Sequence, residues 1–434
     1  LSFYRWFYSG LLYIATPLIW GWLWLKGRNN PDYRRRWQER VARRWETGQA
    51  PLKTGGLLVH CASVGEFLAA KPLIERVLDS QPDRNLLITC TTPTASALIT
   101  KALGNRVQHC YLPIDTPAAI TRFLERFRPT GIVLMETEVW PNLILQAHKR
   151  GIPVGLINGR LSERSLKGYL RFDKLMRPVW SSLTLCAVQN DTIAERFREL
   201  GVTDQALDVS GNLKFDVIIS PAVRAETEQL KSLIGHREIM VAASTHEGEE
   251  QIILDAWSRI CRTRPQALLI LVPRHKERFR EVASLVEKHN FDFVTRSSGR
   301  PVLESTKVLL GDTMGELMIW FGIARIAFVG GSLIERGGHN PLEPMAYGLP
   351  VLSGRNVFNF EQVYKQLDAR QAVRWVHDTD SLHDTVLGLL QNTETAQTIG
   401  AQAQQIFGRH RGATARTQML IEQMLHRKPG GLNG

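Results

Sequence analysis

Residues 57–77, LLVHCASVGEFLAAKPLIERV, carry the reading that decides the fold. The opening run from Leu57 to Cys61 is almost wholly apolar and of strand length, as expected for a strand covered on both faces. Ser63 and Gly65 suit a tight strand-to-helix turn whose backbone N–H groups face outward. Beyond it, Leu68, Leu73, Ile74 and Val77 mark an amphipathic helix. A buried strand followed at once by such a helix is the first half of a βαβ unit.

The same alternation continues in both directions along the chain. Strands are expected at Leu86–Cys90, Val107–Leu112, Gly131–Met135, Val154–Ile157, Thr184–Val188 and Leu207–Ser210, each separated from the next by a helical pattern. After Ser220 it resumes with Ile239–Ala243, Leu268–Val272, Lys307–Leu310, Ile326–Val329 and Val351–Ser353. Two such sets imply an α/β protein with two Rossmann-like domains, 55–219 and 220–428. The polar helical stretch Ser220–His236 reads as the connection between them, and residues 429–434 as a fraying tail.

The chain has 434 residues, 44% hydrophobic and 22% charged, which excludes a disordered or fibrous protein. Its five cysteines lie in or beside apolar runs with no C-x-x-C pair, so buried free thiols are expected. The net charge of +12 is unevenly placed: between Lys26 and Arg44 eight basic residues face two acidic ones. Just before that cluster, Trp6 to Leu25 is a twenty-residue stretch without charge. A helix of that length rises ~30 Å, about one hydrocarbon core. Six of the eleven tryptophans fall in the first 45 residues, and indole favours the water–lipid boundary. Residues 1–26 are therefore expected to form an uncleaved membrane anchor and 27–54 a basic membrane-proximal segment, with the following domains on the cytoplasmic side. Pro17, Gly10 and Gly21 weaken the helix and leave open that it lies in the interface instead of crossing. An apolar, Trp-rich neighbour suits anionic lipid better than nucleic acid as the partner of the basic run.

In doubly wound sheets, ligands bind beyond the carboxyl ends of the strands. Glu66 falls in the first helical turn after the first strand, placed either to close a capping box with Ser63 or to act as a general base. Glu136 and Glu138 follow the strand Gly131–Met135 and point to the same side if the chain stays extended; otherwise one of them caps the helix after Pro141. Arg160 and Lys214 follow later strands, where a cation could meet a carboxylate or phosphate. In the second half, Ser244 or Thr245 is an expected N-cap, and Arg274, His275 and Lys276 place three cations after a strand. The turn around Gly315, Glu316 and Leu317 offers N–H groups to an anion. The run from Gly330 to Pro344 combines four glycines, a helix start at Asn340-Pro341 and a carboxylate, Glu343, able to hold a ribose. With no P-loop, no early G-x-G-x-x-G and no H-E-x-x-H, the pattern points to a glycosyltransferase with a lipid acceptor and implies no metal site.

At these residues the chain resembles the bacterial 3-deoxy-D-manno-octulosonic acid (Kdo) transferases. The stretches are HCASVGEFLAAKPLI, METEVWPNL, NGRLSERS, GNLKFD, AASTHEGEE, PRHKER, GDTMGEL and GGSLIERGGHNPLEP, in order between residues 60 and 344. The resemblance implies a GT-B fold of two Rossmann-like domains facing a cleft and an inverting, metal-independent transfer of Kdo from CMP-Kdo to a lipid A precursor. The setting would be the cytoplasmic face of the bacterial inner membrane, without a cofactor. It implies Glu66 as catalytic base and Glu136 and Lys214 as transition-state stabilisers. Pro273, Arg274, His275, Gly315, Glu316, Leu317, Asn340, Pro341, Leu342 and Glu343 would contact CMP. Two other readings stay open on the residues: a GT-B enzyme using a UDP-sugar, or a non-catalytic tether for anionic lipid or nucleic acid.

Overall fold

The computed structural model describes residues 2–45, 53–217 and 219–427. The chain divides into two compact units, Leu1–Asp216 with Gly412–Gly434, and Val217–Arg411. The tail expected at 429–434 and part of the basic segment 27–54 lie outside the described residues.

The first unit is built on seven parallel strands: β1 (Leu57–His60), β2 (Leu86–Cys90), β3 (Gln108–Tyr111), β4 (Gly131–Met135), β5 (Val154–Gly159), β6 (Leu185–Val188) and β7 (Leu207–Val209). Their order across the sheet is β3-β2-β1-β4-β5-β6-β7. Leu57 pairs with Leu86 on one side and Gly131 on the other. Every residue of β1, β2, β4 and β5 is buried, which is why their sequences run apolar instead of alternating.

The second unit repeats the plan with β8 (Ile239–Thr245), β9 (Leu268–Pro273), β10 (Phe293–Thr295), β11 (Val308–Leu310), β12 (Ile326–Val329), β13 (Val351–Ser353) and β14 (Val373–Trp375). The order is β10-β11-β9-β8-β12-β13-β14, again all parallel. The two strands absent from the sequence expectations, β10 and β14, are the two edges. Each has three residues and is only partly buried, so neither shows an unbroken apolar run.

One boundary expectation is corrected, and the segment read as a connection is a packed part of the unit it was assigned to. The helix Pro221–Ile234 is part of the second unit, because Leu230 and Ile234 enter its core and Thr227 packs where a side chain on Gly322 would stand (2.5 Å to Cγ2). The helix Ala413–His426, expected in the second domain, belongs to the first. Its Ala413, Ile421 and Met424 are buried in the first unit's core, and Arg84 holds Glu422 with two hydrogen bonds of 2.7 and 2.9 Å. Glycines in the sheet make room for it: a Cβ on Gly131 would lie 2.3 Å from Leu425 Cδ2, and one on Gly155 2.7 Å from Met424 Sδ. Asp216 accepts the N–H groups of Gly412 (3.0 Å) and Thr414 (2.8 Å), tying the chain's exit from the unit to its return.

The N-terminal helix forms over Ser2–Asn29, with Pro17 inside it. Among the described residues no helix is long and apolar enough to cross a membrane. The twenty uncharged positions hold so much Trp, Tyr, Gly, Ser and Thr that freedom from charge overstates their apolarity. One face is docked on the first unit. Tyr8 donates its hydroxyl to Asp115 (3.0 Å), Arg5 donates to Asn142 (3.0 Å), and Ser9 and Leu23 are buried. The cysteines are free, four of them buried and Cys261 partly so.

Candidate active site

In the first sheet, the strand order turns at β1 and β4, so the helices leaving them diverge and open a crevice at the carboxyl edge. Glu66 and Glu136 follow those two strands. Glu66 lies in the first turn of the helix Val64–Ser80, capped by Ser63. Its carboxyl accepts the Ala62 N–H (2.7 Å) and the Ser63 hydroxyl (3.0 Å), while its own N–H donates to Ser63 Oγ (3.3 Å). Only half of the expected capping box forms: Ser63 caps the Glu66 N–H, but the Glu66 carboxyl takes the Ala62 N–H and the Ser63 hydroxyl instead of the Ser63 N–H, and it is not an ordinary carboxylate. Burial, helped by the charges of Glu138 and Glu136, pushes the Glu66 pKa up to about 7 against the pull of its hydrogen bonds.

Glu136 takes φ +54, in the left-handed region that costs a non-glycine residue roughly 1–2 kcal/mol. The extended reading of Glu136 and Glu138 is thus corrected: the chain turns at Glu136, and the Glu138 N–H closes back on the Met135 carbonyl (3.3 Å). Neither glutamate caps the helix Pro141–Lys149. That role falls to Asp115, which accepts the N–H groups of Asn142 (2.8 Å) and Leu143 (2.9 Å) from another strand end. The turn aims the Glu136 carboxylate between Lys214 Nζ (2.9 Å) and Arg160 Nε (3.0 Å). Lys214 sits in the tight turn Leu213–Phe215, whose Lys214 N–H is held by Asn212 (3.0 Å) and whose Leu213 N–H is held by the buried Asn158 (3.0 Å). Thr137 donates its hydroxyl to the Arg160 carbonyl. Burial also raises the Glu138 pKa, with Glu136 adding to the effect. The result is an acid–base group near neutrality beside a carboxylate already matched by two cations.

In the second unit the sheet turns between β8 and β12. Ser244 and Thr245 are still in β8, Ser244 at φ +55, and the N-cap of the next helix, Glu249–Thr263, is Gly248 instead. The glycine-rich run after β12 is expected to bring its backbone to a ligand, but three of its N–H groups are already taken. Glu249, fully buried, accepts from Gly331 (2.7 Å), Ser332 (3.0 Å) and Leu333 (3.0 Å), and also from His246 (3.0 Å). A protein carboxylate fills that anion seat.

The remaining second-half candidates divide. Arg274 is fixed by its N–H to the Thr245 carbonyl (3.0 Å), and its charge reaches Glu343 and His339. Asn340 accepts the Leu342 N–H (3.1 Å) and donates to Glu343 (3.2 Å); burial raises the Glu343 pKa against Asn340 and Arg274. His275 packs edge-on against His246 at 5.3 Å between centroids. Pro273, Pro341 and Leu342 are buried and position their neighbours' backbone. Gly315, at φ +88, Glu316 and Leu317 follow β11, two strands from β8. There the Glu316 carboxylate is engaged by Arg296 (2.9 Å) and Thr313; burial would raise its pKa, but these partners bring it below the ordinary value. Sequence reasoning did not single out Asp115 or Glu249: a lone acid near a helix start gives no sign of pairing with N–H groups 27 or 82 positions away. Among the described residues no three His, Cys, Asp or Glu side chains are arranged to hold a metal ion.

Comparison with known proteins matches the two units separately. Residues 35–217 match the family described as 3-deoxy-D-manno-octulosonic-acid transferase (kdotransferase), and residues 239–406 match glycosyl transferases group 1. A 3-deoxy-D-manno-octulosonic acid transferase of Haemophilus influenzae is 39% identical over 98% of this chain and 99% of its own. One from Bordetella pertussis is 34% identical over 94% and 97%. The solved UDP-GlcNAc 2-epimerase of Neisseria meningitidis, 15% identical, matches 86% of this chain and 100% of its own with a TM-score of 0.55, a likeness of fold alone. Two parallel α/β units with ligand-side motifs at their strand ends define a glycosyltransferase of GT-B-like fold. The chain belongs to the Kdo transferase family, and its reaction is the transfer of Kdo.

Proposed function

We propose that the chain moves Kdo from CMP-Kdo to a lipid A precursor, lipid IVA, with inversion at the anomeric carbon, as a step of lipopolysaccharide synthesis. The observation that carries the assignment of roles is the Glu66 carboxyl, held near neutrality at the turning point of the first sheet. In its ionised form Glu66 takes the proton of an acceptor sugar hydroxyl as that oxygen attacks the anomeric carbon. The bond from that carbon to the CMP phosphate breaks, and the electron pair leaves with the phosphate. Glu136, clamped by Lys214 and Arg160, leaves a net positive edge that opposes the charge of the Kdo carboxylate in the transition state. In the second unit, Arg274 and His275 face the leaving phosphate, the Gly315–Leu317 turn adds backbone contacts, and the Asn340–Glu343 pair holds the ribose. Incubation with CMP-Kdo and lipid IVA should give a product heavier by Kdo on mass spectrometry, with release of CMP. Turnover of a UDP-sugar instead would overturn the donor assignment.

The N-terminal helix supports membrane contact by lying in the interface. Its docked face keeps it along the first unit, while Phe3, Trp6, Phe7, Leu11, Ile14 and Leu18, each more than half exposed, share the other face. At its far end Lys26 lies over the Trp22 ring (4.2 Å), and Arg28 and Arg34 lie by Trp24 (5.4 and 4.8 Å), a collar suited to anionic headgroups. Each such charge adds about 1 kcal/mol near an anionic surface. The setting we propose is the cytoplasmic face of the bacterial inner membrane. The full chain should sediment with phosphatidylglycerol vesicles at low salt, and Trp6→Ser with Phe7→Ser should weaken that sedimentation. Equal sedimentation of the double variant would remove the helix face as the contact.

A further inference from the structure

His246 and His339 are not needed for the assignment of roles above, yet they are closely constrained. Their Nε2 atoms lie 2.8 Å apart, with the rings within 7° of parallel. A hydrogen bond at that distance requires one ring to carry its proton on Nε2 and the other to present a lone pair there. The backbone at both residues is held in place: the His246 main-chain N–H donates to Glu249, and the His339 main-chain N–H donates to the Gly330 carbonyl (3.0 Å). The His339 ring occupies space that only a glycine at 331 leaves, since a Cβ there would stand 3.0 Å from His339 Cδ2.

The surroundings are one-sided. Arg274, Arg278, Arg336 and His275 act on His246, and Arg274 and His275 act on His339. Of the nearby carboxylates, Glu249 is committed to four N–H groups, Glu250 (2.6 Å) and Glu281 (3.0 Å) to Arg278, and Glu343 to Asn340, while Glu247 and Glu335, beside His246 and Arg336 in the chain, are exposed to solvent. Burial first, then these cations, hold both imidazoles down at about 4, so the pair is neutral at pH 7. A phosphate arriving beside Arg274 reverses the sign of the local field.

We propose that the His246–His339 pair is a proton-linked reader of the donor's phosphate: it takes one proton from solvent when the nucleotide binds and becomes a shared imidazole–imidazolium cation. This rests on the reading that CMP-Kdo binds the second unit. The added charge is present only in the liganded state, facing the phosphate that must leave. No bond to carbon is involved; the proton comes from water or buffer and returns on release.

The test uses the full chain and the methyl phosphodiester of CMP, which has no second phosphate proton to confuse the count. Titration calorimetry at pH 7 in buffers of different ionisation enthalpy should give uptake approaching about one proton per nucleotide. His246→Gln and His339→Gln should bring the count towards zero. In the wild type, affinity should fall by up to ~10-fold per pH unit on the alkaline side, the limit for one linked proton. Nitrogen NMR of labelled histidines reads the same event without a variant: two opposite tautomers in the free protein, one imidazolium signature in the complex. Binding heat that does not depend on buffer, with unchanged histidine signals, overturns the proton reader and leaves nucleotide binding standing. No binding heat in any buffer removes the nucleotide reading and this inference together.

Discussion

The two units share an architecture and invert each other's chemistry. Each is a parallel sheet that turns at its first strand, and each collects its polar side chains at the carboxyl edge of that turn. In the first, the edge is dominated by carboxyls: Glu136 and Glu138 add to the cost of ionising Glu66, Glu136 adds to that of Glu138, and two cations pair with Glu136. In the second, the edge is dominated by arginine and histidine, and its carboxylates are already bound to N–H groups or to Arg278. The fold supplies the crevice, and local choices decide whether that crevice takes a proton or an anion.

The sharpest way to break this comparison is Glu66→Gln. Transfer should drop by ~10²-fold or more, the usual scale for a general base, while CMP binding stays unchanged. In the wild type, kcat/KM should fall as pH drops below about 7, following Glu66, and this limb should vanish from the residual activity of the variant. The same substitution should stabilise the protein. A carboxyl with a raised folded pKa binds its proton more tightly when folded, so stability is lost as pH rises from the unfolded value near 4.5 through about 7. Glu66→Gln escapes that loss, and its Tm above pH 7 should exceed the wild type's. A lower Tm would mean that Glu66 serves chiefly as a cap.

Lys214→Ala should come next. It leaves Arg160 as the charge partner of Glu136 and should reduce kcat by ~10²-fold with little change in CMP affinity. Arg274→Ala should show the opposite split, weakening CMP binding by about 10-fold through loss of a charge-assisted contact, while the Glu66 limb of the pH profile stays in place. If both substitutions changed the same parameter, the division of labour between the units would be wrong.

What was legible followed from burial. Strands such as Leu86–Cys90 and Gly131–Met135 are covered on both faces, so their sequence alone marks them. The site glutamates stood out because strand ends are few and polar residues just after them have little structural reason to be there. The edge strands Phe293–Thr295 and Val373–Trp375 were not legible, because an edge needs no continuous apolar run. Nor were long-range pairings such as Glu249 with Gly331 or Asp216 with Thr414, since each partner looks locally like an ordinary acid or an ordinary loop. The returning helix did leave a trace, in glycines at two strand positions where an apolar side chain would otherwise be expected.

The smallest effect tests that trace. Gly155→Ala should lower stability by about 1 kcal/mol, read as a drop of a few degrees in Tm, because the new Cβ meets the sulfur of the buried Met424, an unbranched side chain able to give way, at 2.7 Å. Combined with Met424→Ala, the cost should be less than the sum of the two single changes. Full additivity would show that the helix yields without resistance.

That helix also sets an order of events during synthesis. Domains generally fold as they leave the ribosome, the earliest-made part first. Here the sheet that emerges first waits for residues 413–426, which are translated only after the whole Val217–Arg411 unit. Until then the grooves over Gly131 and Gly155 stand open and Asp216 has no N–H groups to bind. The unit made earlier is therefore closed only after the one made later, and a chain cut after Arg411 would leave the second unit whole and the first without its returning helix.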